Sequence, residues 1–108
     1  MSDAMELSDR DRVVLLAVLD DVLVGRAYFS HGEMKTITNW SIQEATHLVE
    51  ELRGGKRFLS ATERPFVGAS IYHWWVAAKY GRTVATDGLR SEAWDLRDRM
   101  HRSRSPKE

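Results

Sequence analysis

Residues 30–59 read SHGEMKTITNWSIQEATHLVEELRGGKRFL, and the fold turns on how this stretch is parsed. Ser30 and Glu33 stand three residues apart, and so do Ser41 and Glu44. That spacing suits a capping box, in which each side chain bonds the other residue's backbone N–H at the start of a helix. Two helices are therefore predicted to start eleven residues apart, His31 to Thr38 and Ile42 to Arg53. Asn39 falls where the chain must turn, and Asn tolerates the left-handed backbone better than most residues. At about 100° per residue, Ile42, Ala45, Leu48, Val49 and Leu52 share one side of the second helix. Gln43, Glu44, His47, Glu50 and Glu51 fall on the other. Gly54-Gly55 stops that helix, and Lys56-Arg57-Phe58-Leu59 opens a basic strand running to Ser60.

Upstream, Ser8 with Asp11 is another cap-like start, and ten of the twelve residues from Val13 to Val24 are apolar. Val, Ile and Leu richness alone would also suit a buried strand. The length, the acidic first turn and Gly25 just past the end favour a helix, apolar nearly all round and so expected at the centre of the core. Arg26-Ala27-Tyr28-Phe29 reads as a short strand. Downstream, Ala61 to Pro65 reads as a loop or a wing tip. Ile71, Trp74, Trp75 and Ala78 then recur at helical spacing, with Lys79 and Gly81 as a stop. A strand through Phe66 to Tyr72 stays open as an alternative, because Gly68 is a poor helix residue. Thr86 or Asp87 caps a final helix with Leu89, Ala93, Leu96 and Met100 on one stripe. The end, HRSRSPKE, reads as a disordered basic tail.

At 108 residues the chain is one domain with one small core. Acidic and basic residues balance at 16 each, so attraction to nucleic acid or to an anionic membrane needs local clustering. There is no Cys, which excludes disulfides, thiolate catalysis and Cys-ligated zinc. The acidic start MSDAMELSDRD has the wrong sign for a secretion signal, and the apolar run Val13 to Leu19 is too short to span a bilayer. A cytoplasmic protein is expected. The four His share no metal-ligand spacing, and neither GxSxG nor a P-loop is present. Asp20-Asp21 and Asp95 with Asp98 read as helix-surface acids. No enzyme and no cofactor is expected.

Glu33-Met34-Lys35-Thr36-Ile37-Thr38-Asn39-Trp40-Ser41, followed by Ala45, Leu48 and Leu52 and then Gly55-Lys56-Arg57-Phe58-Leu59, resembles the winged helix-turn-helix regulators of bacteria, archaea and phages. Asn39 stands at the turn glycine, and Trp40 at the apolar position after it. The resemblance covers about residues 8–60, or to 76 at its widest, and implies a mainly α fold with a small β-wing. Residues 8–60 would form the helix-turn-helix and first wing strand, and 61–101 a second wing strand, C-terminal helices or both. In that family the second helix enters the major groove and the wing touches the backbone. By position, Gln43, Thr46 and His47 would face base edges. Ser41 would sit by a phosphate at the helix N-terminus. Lys35, Lys56 and Arg57 would supply phosphate contacts. The implied function is a DNA-binding transcriptional regulator acting on double-stranded DNA. One departure is Glu44, Glu50 and Glu51 on the outward face, which supports an alternative: a protein-binding adaptor or inhibitor whose acidic face docks on a basic partner.

Such regulators often pair through added terminal helices, so a homodimer is expected, with Trp74, Trp75, Leu89, Trp94 and Leu96 at its interface. Tyr72, Trp74, Trp75 and Tyr80 could instead form a stacking platform for single-stranded nucleic acid. Arg97, Arg99, Arg102, Arg104 and Lys107 are the densest basic cluster, either added DNA affinity or a solubilising tail.

Overall fold

Two Ser-x-x-Asp or Ser-x-x-Glu boxes cap helices, and a third closes the turn that precedes one. The computed structural model describes residues 4–24, 31–80 and 87–104, without the side chains of 31, 32, 87 and 101–104. The order is β1 (Met5–Glu6), α1 (Asp9–Leu23), α2 (His31–Thr38), α3 (Ile42–Arg53), β2 (Phe58–Leu59), α4 (Glu63–Lys79) and α5 (Asp87–Arg104). Ser8 and Asp11 close a full capping box on α1, and Ser41 and Glu44 close one on α3. The third is Ser60 with Glu63. The Glu63 N–H donates to Ser60 Oγ, and the Ser60 N–H donates to the Glu63 carboxylate. It starts the turn that leads into α4.

That start settles residues 66–72, which lie inside α4. The return strand of a hairpin wing is therefore not formed there. Pro65 falls in the first turn of α4, where a missing N–H is tolerated, and Gly68 costs the helix too little to break it against the burial of Phe66, Val67, Ile71 and Trp74. The predicted strand from Lys56 to Ser60 shrinks to Phe58–Leu59. Its partner is β1, antiparallel, with Met5 opposite Leu59 and Glu6 opposite Phe58. The protein is thus mainly helical with one small two-stranded antiparallel sheet.

The core sits where α1 meets α3, α4 and α5, and where α4 also meets α2. Leu15, Leu19, Leu48, Leu52, Phe66, Ile71 and Trp74 are each at most 1% exposed. As expected, α1 lies at the centre of the core, with Val14, Leu15, Val18, Leu19 and Val22 buried; Val13 is exposed, and α4 shares the central role. The α5 stripe holds as read, with Ala93, Leu96 and Met100 buried and Leu89 packed at its edge. A partly buried ion pair fastens α5 to α1, where Arg99 donates two hydrogen bonds to Asp11 at 2.6 and 3.3 Å. Arg10 and Glu92 make a second, exposed clasp between the same helices. The helix α5 runs through Arg104, so it extends into the stretch expected to be a tail.

Several expectations lie outside the described residues: the Ser30 half of a cap, Gly25, the strand at Arg26 to Phe29, Gly81, Thr86 and residues 105–108. No helix among the described residues is long and apolar enough to cross a membrane.

Candidate functional site

The corner between α2 and α3 is built from short-range bonds. Asn39 has φ 64°, the left-handed region, and is the one non-glycine described residue with positive φ. Its N–H still donates to the Lys35 carbonyl at 2.9 Å, closing the last turn of α2. Thr38 Oγ1 donates to the Met34 carbonyl at 2.6 Å and accepts from the Trp40 N–H at 3.2 Å. Trp40 then lies flat on Phe66 of α4, with ring centroids 4.6 Å apart and planes within 11°. Offset aromatic stacking adds about 0.5–1.5 kcal/mol beyond area burial, so this contact pins the corner to the core. Met34, fully buried, anchors α2 beside it.

Asn39→Gly should leave stability nearly unchanged. Asn39→Val should cost about 1–2 kcal/mol, because a β-branched residue is poorly tolerated at positive φ. Thermal unfolding of the two variants checks this; equal melting temperatures would show that the corner does not depend on the left-handed residue.

From that corner α3 lays one stripe inward. Ala45, Leu48, Val49 and Leu52 are buried, and Ile42 is partly so. Gln43, Glu44, Thr46, His47, Glu50 and Glu51 all face solvent. Ile42, Gln43, Thr46, His47 and Glu50 line a shallow depression of about 330 Å³ on this face. The far end stops in a Schellman motif. The Lys56 N–H donates to the Glu51 carbonyl and the Gly55 N–H to that of Leu52, while Gly55 takes φ 113°. Arg12 of α1 donates to the Leu52 carbonyl at 2.7 Å, a cation at the negative end of the helix dipole.

The charges around α3 are arranged unevenly. Lys56, only partly exposed, lies 3.3 Å from Glu63 and 3.9 Å from Glu51. Arg57 pairs with Asp9 at 2.9 Å, and Arg53 bonds Asp20 at 2.5 Å. His47 Nε2 lies 3.5 Å from Glu51. The two cations read as wing contacts are thus each engaged by carboxylates of this same chain. Glu50 has no ion-pair partner among the described residues. Glu44 accepts the Ser41 backbone N–H, which with the Ser41 hydroxyl and the charge of Lys35 holds its carboxyl below the usual range against a smaller opposing effect of burial. It stays ionised to lower pH than a free Glu.

Of the residues read as DNA contacts, Lys35, Gln43, Thr46 and His47 are exposed, Ser41 is occupied as the cap of α3, and Lys56 and Arg57 are ion-paired. Thr46 Oγ1 donates to the Ile42 carbonyl. Of the residues read as a dimer interface, Trp74 and Leu96 are buried within the single chain, and Trp74 Nε1 donates to Asp21 at 2.9 Å. Trp75, Leu89 and Trp94 remain partly exposed. Within the basic cluster, Arg99 is held by Asp11 and Arg97 lies over aromatic rings. No group of three or more His, Asp or Glu placed to hold a metal occurs among the described residues. Comparison with family models, with curated proteins and with solved structures gave no match.

Proposed function

We propose that this chain is a helix-turn-helix protein of the winged type in outline, its sheet made by β1 and β2, and that it acts as a protein-binding adaptor or inhibitor through the outward face of α3. The observation that carries this reading is the sorting of charge. Arg53, Lys56 and Arg57 are each tied to a carboxylate of the same chain, while Glu44 and Glu50 face solvent and Glu50 lines a depression together with Ile42. Duplex DNA carries about one negative charge per 1.7 Å of its axis, so a helix that brings carboxylates toward it and keeps its cations engaged is poorly suited to the groove. A basic surface of a partner protein fits the same face. Its cations meet exposed acids, which steers encounter, and an apolar side chain can cover Ile42.

The second reading is duplex recognition. It is favoured by the exposure of Gln43, Thr46 and His47 at i, i+3 and i+4 on one side of α3, where Gln and His can bond base edges.

A triple variant separates the two: Glu44→Gln, which preserves a box-forming residue, with Glu50→Lys and Glu51→Lys. Its affinity for a lysine-rich helical peptide should fall about tenfold at low salt, a change of about 1.4 kcal/mol. Wild-type protein should bind that peptide more weakly as salt rises and should not retain a mixed-sequence DNA duplex. Salt-sensitive duplex binding by the wild type, with unchanged peptide affinity in the variant, supports the second reading and overturns the first.

A further inference from the structure

Arg64, in the first turn of α4, is only 7% exposed, and its Nε is buried without a hydrogen-bond partner. Its guanidinium has no hydrogen bond or ion pair among the described residues. Arginine stays charged in proteins, and a buried charge without a partner is unfavourable. Arg53, Lys56, Arg57 and Arg99 differ, each having a carboxylate of this chain.

Gly68 stands one turn along α4 on the same face. It is buried, yet a Cβ built there would meet no atom within 4 Å. Side chains on a helix lean toward its N-terminus, so a residue at 68 would lie over Arg64. Glycine leaves that place open. Ile71 and Trp75 continue the stripe at i+7 and i+11 from Arg64, and Trp75 meets Trp94 of α5 with ring centroids 5.0 Å apart. The pit therefore lies on the α5 side of α4.

We infer that the pit formed by Arg64 and Gly68 binds a small monocarboxylate. The planar fork of arginine matches a carboxylate through two parallel N–H···O bonds, and the ionised carboxylate supplies the charge that Arg64 lacks. One cation balances one negative charge. A phosphate monoester carries more than that at neutral pH, and Arg97, the next cation on this side, is stacked over Tyr72 and Trp94. Val67 and Ile71, both fully buried, stand at i+3 and i+7 from Arg64, so a short aliphatic tail suits the pit better than a second polar group. The N–H groups of Glu63 and Arg64 already donate to the Ser60 carbonyl, which leaves recognition to the guanidinium. The neighbouring Glu63 carboxylate is held by the Ser60 N–H and by Lys56. None of this rests on the role proposed for α3.

Titration with sodium butyrate, followed through the Arg64 Nε–H resonance and by thermal unfolding, tests it. Butyrate at tens of millimolar should shift the resonance and raise the melting temperature; sodium chloride at the same ionic strength should do neither. Inorganic phosphate should bind about tenfold more weakly than butyrate. Gly68→Ala fills the pit. It should be at least as stable as the wild type, because alanine suits a helix better than glycine, and it should weaken butyrate binding about tenfold or more. Arg64→Lys, which keeps the charge and loses the fork, should weaken it to a similar extent. Butyrate that leaves the Arg64 resonance in place, or that binds Gly68→Ala as tightly as the wild type, overturns the inference. So does phosphate that binds more tightly than butyrate.

Discussion

Trp74→Ala should lower folding stability by about 3–5 kcal/mol, the range for deleting a large aromatic side chain from a packed core. Trp74 is fully buried at the middle of α4, in the cluster with Leu15, Leu19, Phe66 and Ile71 from α1 and α4. Its indole N–H also donates across the core boundary to Asp21 of α1. The alanine variant loses both the apolar contact and this bond, and leaves a void that close-packed neighbours can only partly fill. Domains of this size commonly have only about 5–15 kcal/mol in hand, so the urea midpoint should drop sharply. Trp74→Phe should fall between, because it keeps most of the burial and loses the bond. A midpoint within error of wild type for Trp74→Ala would mean that α4 does not hold the core as described.

The second large effect concerns the clasp between α1 and α5. Asp11→Asn should cost about 2 kcal/mol near neutral pH, from loss of a charge-assisted bond and weakening of the α1 cap. Asp11 is 7% exposed. Burial alone would raise its pKa, but the Arg99 guanidinium, with the Ser8 N–H and the Arg99 charge, outweighs it and holds the carboxyl below its ordinary value of 3.8. A carboxyl depressed in the folded state stabilises the fold fully at pH above its unfolded value and loses that contribution as pH falls through the folded value. The gap between wild type and Asp11→Asn should therefore persist from neutrality down to about pH 4 and close below it. Denaturant unfolding at a series of pH values reads this directly, and a constant gap down to strongly acid pH would contradict it.

What could be read in the sequence was local. The Ser8–Asp11 and Ser41–Glu44 boxes, the left-handed Asn39 and the glycine stop at Gly55 each depend on bonds spanning a few residues, so spacing alone exposes them. The apolar stripe of α3 follows from its period. Residues 66–72 are ambiguous in sequence because Gly68 argues against a helix, while the Ser60–Glu63 pair, with the same spacing as the two capping boxes, closes the turn that leads into α4. The pairing of Met5 with Leu59 could not be read at all, since two-residue strands carry no pattern and their partners lie far apart in the chain. The same distance hid the ion pairs Arg57–Asp9 and Arg53–Asp20. The first of these matters most for function, because Arg57 follows α3 as a basic residue whose local sequence shows no partner, while its carboxylate stands on α1. Trp74 and Trp75 were also inseparable by spacing: adjacent on the helix, they differ by about 100° in direction, and only the packing of α1 and α5 decides which one is enclosed.

The most direct test of the α3 assignment is an amide NMR titration of the wild-type protein with the lysine-rich peptide and, separately, with a DNA duplex. The peptide should move the resonances of Gln43, Thr46, His47 and Glu50 together, with shifts that shrink as salt is added, and the duplex should leave them in place. Peptide-induced shifts that avoid α3, or duplex-induced shifts that run from Lys35 through α3 to Arg57, would contradict the assignment.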